Sequence, residues 1–197
     1  MQDHPLLISS IFEHAVSNYG EQEIVSNTVE GGIHRYNYSS WGKRTKKLAN
    51  ALKSLNLQQG DKVGTLAWNG YRHLEIYYAT SCSGLICHTI NPRLHPDQVS
   101  YIVNHAEDKV LCVDLNILPL IEKASEKFKT VDFLVVMTDA KNMVKPKVKD
   151  DIKVICYEDF IKDETDQFIW PQLDEKTASS LCYTSGTTGN PKGVLYS

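Results

Sequence analysis

Nine residues near the end of the sequence, Thr184-Ser-Gly-Thr-Thr-Gly-Asn-Pro-Lys192, concentrate the chemistry of the chain. Gly186 and Gly189 let backbone N–H groups turn toward an anion with no Cβ in the way. Thr184, Ser185, Thr187 and Thr188 carry hydroxyls that bond phosphate oxygens or ligate Mg²⁺. Lys192 adds a compact positive charge, and Pro191 stiffens the exit. The composition therefore suits a phosphate cradle, although a plain Gly/Ser/Thr loop shares it. Two features favour the cradle: the lysine lies just past the glycine turn, and strand-like segments, Leu181 to Tyr183 and Gly193 to Tyr196, hold both ends. Neither glycine has a Gly-Lys at Walker A spacing, and the GxGxxG pattern is absent. The loop is neither that of a P-loop NTPase nor that of a dinucleotide-binding dehydrogenase.

A loop of this kind needs a scaffold, and the preceding sequence reads as one. Leu7 to Tyr19 is helical, with Ile8, Ile11, Phe12 and Ala15 on one face. Ile24–Thr28 and Ile33–Tyr38 flank Gly31-Gly32 as a hairpin. Ser40 is the expected N-cap of a helix striped by Thr45, Leu48, Ala49, Leu52 and Leu55. Strands at Lys62–Trp68, Leu85–Ile90, Lys109–Asp114, Phe133–Thr138 and Lys153–Tyr157 alternate with helices at Tyr71–Ser83, from Pro96, and from Ile117 to Phe128. Such alternation predicts an α/β fold with a largely parallel sheet covered by helices on both faces. Glu158 to Asp166 reads as acidic surface. Thr165 to Asp174, with Trp170-Pro171, reads as a linker, and the five lysines between Lys141 and Lys153 as a solvated loop.

Composition excludes several classes. The 197 residues carry 21 Lys+Arg against 24 Asp+Glu, a net charge of −3, which is no footprint for nucleic acid. Apolar runs are short, so no transmembrane segment is expected. Met1 to Ser10 has no Lys or Arg and lacks the basic start of a signal peptide. The five cysteines, an odd number with no CxxC, read as buried reduced thiols of a cytoplasmic protein. The seven histidines show no metal-binding spacing. Tyr71, Tyr77 and Tyr78 read as packing residues, with ligand stacking as the alternative.

Tyr183-Thr-Ser-Gly-Thr-Thr-Gly-Asn-Pro-Lys-Gly193 resembles the signature of the adenylate-forming (AMP-binding) superfamily at every position. His88-Thr-Ile-Asn-Pro-Arg-Leu-His-Pro-Asp-Gln98 and Tyr101-Ile-Val-Asn-His-Ala-Glu-Asp-Lys-Val-Leu111 look like the medium- and long-chain fatty-acyl-CoA synthetase branch. Trp170-Pro171 is similar to the same branch, and the resemblance runs from Leu6 onward.

The resemblance implies an acid–thiol ligase with ATP, Mg²⁺ and CoA, in which acid and ATP give an acyl-adenylate that CoA then captures. Thr184, Ser185, Gly186, Thr187, Thr188, Gly189 and Lys192 would hold the β- and γ-phosphates, with Thr184 near Mg²⁺. Members of the family are much longer, so residues 1–197 are expected to be a partial N-terminal AMP-binding domain that ends just after the loop at 184–192. The C-terminal lid would be absent, the catalytic set incomplete and the piece inactive alone. Expected partners are fatty acid, ATP and CoA, with peripheral membrane contact left open and self-association through an unfinished sheet. Two alternatives stand beside this reading: an aryl- or amino-acid-activating relative, and a stand-alone nucleotide-binding or oligomerisation module.

Overall fold

The computed structural model describes residues 5–184 and 190–197. Its core is a seven-stranded sheet in the order β7-β6-β5-β3-β4-β8-β9. The strands are β3 (Lys62–Leu66), β4 (Ile86–Thr89), β5 (Asp108–Val113), β6 (Phe133–Val136), β7 (Lys153–Cys156), β8 (Ser180–Thr184) and β9 (Lys192–Tyr196). All neighbours pair in parallel except β8 and β9, which are antiparallel. A separate antiparallel hairpin joins β1 (Glu23–Asn27) to β2 (Ile33–Asn37). Its turn needs both glycines, since Gly31 and Gly32 have φ of +97° and +94°.

The strands are apolar on both sides because both sheet faces are covered. Along β5, Leu111 and Val113 enter one cluster and Val110 and Cys112 the other. The first cluster packs on α4 (Pro96–Ala106) and α5 (Leu118–Ser125) through Val99, Ile102 and Ile121. The second packs on α2 (Tyr38–Ser54), α3 (Tyr71–Cys82) and α6 (Tyr157–Lys162) through Leu48, Ile76 and Ile161. α1 (Ile8–Asn18) adds Phe12, which meets Trp41 edge-on at 4.7 Å.

Three details of the sequence reading need correction. The cap of α2 is Asn37 rather than Ser40: the Asn37 side chain accepts the Ser40 backbone N–H at 2.9 Å. Glu158 is not free acidic surface. It accepts hydrogen bonds from Arg44 Nη1 and Nη2, each at 3.0 Å, and from Arg72 Nε at 2.8 Å. Burial alone would raise its carboxyl, and the two guanidinium groups outweigh that and hold it below the ordinary range. The same arginines reach Glu75 and Glu30, and Tyr157 Oη donates to the fully buried Glu75 at 2.6 Å. The network thus ties the hairpin turn to α2, α3 and α6. Thirdly, the segment read as a linker is strapped down. Asn50 Nδ2 donates to the carbonyls of Thr165 and Gln167 at 2.8 and 3.0 Å, and Trp170 meets Phe12 edge-on at 5.2 Å.

Candidate functional site

β3 is followed by β4 on one side and β5 on the other, so the strand order reverses beside it. In open α/β sheets, ligands bind at the carboxyl ends of strands at such a point. A cavity of about 810 Å³ opens next to that point, over the carboxyl ends of β3, β4 and β8. Asn69 and Gly70 line it after β3, Thr89 and Asn91 at the end of β4, Cys182 and Tyr183 near the end of β8, and His73 and Tyr77 from α3. Burial lowers the His73 pKa, so its imidazole is neutral at pH 7 and shares hydrogen bonds with Thr65 Oγ1 at 3.0 Å and the Trp68 carbonyl at 3.2 Å. Tyr77 therefore lines a cavity, whereas Tyr78 also packs on Trp41 at 4.9 Å.

Two of the seven residues assigned to the phosphate cradle can be placed. Thr184 closes β8 and Lys192 opens β9, and the two are the last register pair of that antiparallel ladder. Thr184 Oγ1 lies 3.5 Å from the Lys192 carbonyl, and both residues are exposed. Among the described residues, no carboxylate pairs with the Lys192 ammonium. Ser185, Gly186, Thr187, Thr188 and Gly189 lie outside the described residues. The strand after the loop starts at Lys192, one residue earlier than the apolar pattern implies, because the ladder pairs backbone groups irrespective of side chain.

Sequence reasoning missed the groups behind this hairpin. Tyr183 shares a hydrogen bond with His105 Nδ1 at 2.6 Å, and its ring lies 5.2 Å from that of His88. His88 is fully buried, with Nδ1 at 2.9 Å from both Asp108 oxygens. No metal site is built from them: among the described residues, no group of three or more His, Cys, Asp or Glu side chains could hold an ion. The buried thiols are poor nucleophiles. All five are unpaired, and burial pushes Cys82 and Cys87 up to about 12.

The family model for AMP-binding enzymes matches residues 12–197. The chain belongs to the AMP-binding enzyme family. It is 47% identical over 201 residues to a 3-methylmercaptopropionyl-CoA ligase of Ruegeria lacuscaerulensis, covering 100% of this chain and 36% of that protein. It is 45% identical over 197 residues to a medium-chain-fatty-acid–CoA ligase of Ectopseudomonas oleovorans, with the same coverage of 100% and 36%. The fold matches a solved anthranilate CoA ligase, bound to anthranoyl-AMP, with a TM-score of 0.81 at 23% identity, over 97% of this chain and 34% of that one. The chain thus spans about a third of the length of the relatives it matches. Among the described residues, no helix is long and apolar enough to cross a membrane.

Proposed function

We propose that this AMP-binding chain supplies the phosphate-binding part of an ATP-dependent acid–thiol ligase acting on an aliphatic carboxylic acid. In the first half-reaction a carboxylate oxygen bonds to the α-phosphorus of ATP, and the bond to pyrophosphate breaks. In the second, the sulfur of CoA attacks the acyl carbon, AMP leaves, and the thiol proton passes to solvent. The first step brings one anion to another, so cationic and N–H-rich groups must offset charge. The observation that carries the reading is the pairing of Thr184 with Lys192 at the carboxyl end of β8, beside a cavity over the carboxyl ends of β3, β4 and β8. Lys192 would offset phosphate charge there. Thr184 offers one hydroxyl, whereas Mg²⁺ takes six ligands, so phosphate oxygens and water would fill most of its shell. Ser185, Gly186, Thr187, Thr188 and Gly189 would cradle the β- and γ-phosphates between these ends. The acyl groups in the two relatives' names, methylmercaptopropionyl and medium-chain fatty, favour an aliphatic acid over an aryl or amino acid. The unpaired, mostly buried cysteines fit a reducing cytoplasm.

On this reading residues 1–197 belong to the N-terminal AMP-binding domain, and the remaining catalytic groups lie elsewhere in the protein. The test is acid-dependent exchange of pyrophosphate into ATP by the intact protein and by the 197 residues alone. Exchange by the intact protein, a loss of roughly tenfold or more on Lys192→Ala, and none from the short chain are expected. Failure of the intact protein to exchange with any aliphatic acid overturns the reading. So does exchange by the 197 residues alone.

A further inference from the structure

Tyr183 stands one residue before Thr184, and three elements hold its ring. The phenol shares a 2.6 Å hydrogen bond with His105 on the last turn of α4. The ring lies 5.2 Å from His88 of β4, which Asp108 of β5 fixes from the other side at 2.9 Å. On β9 the register partner of Tyr183 is Gly193, where an added Cβ would lie 3.1 Å from Tyr183 Cζ. Glycine at 193 is what leaves room for the ring. Consecutive Cα atoms are about 3.8 Å apart, so fixing Tyr183 fixes the start of the loop to within one residue.

We propose that the His105–Tyr183 hydrogen bond is a positioning contact that sets the entrance of the phosphate loop, so that its loss weakens use of ATP rather than of the acid. The inference rests on the ligase reading above. His105 is not part of the cavity lining, and among the described residues its side-chain hydrogen bond is to Tyr183, so it is placed to act through that ring. It is exposed, and an exposed hydrogen bond adds little to stability. A merely structural contact would therefore shift the melting temperature slightly and leave the kinetic constants alone.

The experiment measures pyrophosphate exchange by the intact protein, with KM for Mg·ATP and for the acid taken separately. Tyr183→Phe and His105→Leu are each expected to raise KM for Mg·ATP about fivefold, with KM for the acid changed less than about twofold. The double variant should be no worse than either single one, as befits one shared contact. His105→Gln, which can still bond the phenol, should return KM for Mg·ATP to within about twofold of wild type. His105→Leu at an exposed helix end tests the point even if Tyr183→Phe folds poorly. An active wild type whose KM for Mg·ATP is unmoved by either substitution overturns this inference alone. So does a double variant whose effects add in full. A wild type without exchange overturns the ligase reading and this inference with it.

Discussion

Asp114, just beyond β5, shows how one carboxyl records its surroundings. Its Oδ2 accepts the Trp68 backbone N–H at 2.7 Å. Burial pushes it up to about 6, against that hydrogen bond, and nearby Glu30 and Arg72 pull in opposite directions. The unfolded value is 3.8, so between pH 4 and 6 the folded chain keeps a proton that the unfolded chain has lost. This group's contribution to stability therefore falls as pH rises through that window and is level above it. The full shift corresponds to about 3 kcal/mol, and partial access of water reduces the expected loss to about 1–2 kcal/mol. Asp114→Asn keeps an acceptor for Trp68 and cannot titrate. Relative to wild type, the substitution should lower the urea midpoint more at pH 4.5 than at pH 7, and an equal shift at both pH values would refute the assignment. At this scale the sequence is legible only where chemistry is contiguous. Thr184 to Lys192 can be read as a string, with its two ends then found paired. His105 and Tyr183 lie 78 positions apart and are joined by one hydrogen bond, so no local pattern announces them.

Elements with a regular period were legible almost residue by residue. Val99, Ile102, Val103 and Ala106 predict α4 because apolar residues at that spacing fall on one face only when the chain is helical, and all four are buried. Boundaries were weaker. Asn37 and Ser40 are both good caps by residue type, and only the hydrogen bond decides between them. The strap between α6 and β8 was illegible for a different reason. Its anchors are single, partly buried aromatic residues with no period. Trp170 touches Phe12 at 5.2 Å and Phe168 at 4.9 Å, and its Nε1 donates to Glu13 at 2.8 Å. Removing a partly buried indole that joins α1 to the strap should cost about 2 kcal/mol or more. Trp170→Ala is thus expected to lower the urea midpoint clearly, with Trp170→Phe between it and wild type. A change in Trp170→Ala under about 0.5 kcal/mol would show that the strap rests on the surface without holding it.

For the molecule as a whole, the α/β class and the largely parallel sheet followed from alternation alone, whereas the strand order did not. Order is set by crossovers, and nothing in the sequence of β8 says that it will pair with β4. β9 pairs with β8 and leaves Val194, Leu195 and Tyr196 exposed at 39%, 55% and 52%. An apolar strand open on one side is a template for another strand. The 197-residue chain should therefore self-associate, and light scattering should show a mass that rises with concentration, less so in Leu195→Lys. A constant monomer mass over a hundredfold range would exclude it. The pairing of Cys87 with Ser180 also bears on how the chain is made. Strands β3 to β7 can zip together as they leave the ribosome. One flank of β4 stays bare until more than ninety further residues have been synthesised. β8 follows all the other parallel strands in the chain, so the hairpin that bears the phosphate loop is the last part of this seven-stranded sheet to join. A newborn chain reaches that point with an open edge, and this interval is where a chaperone would be needed.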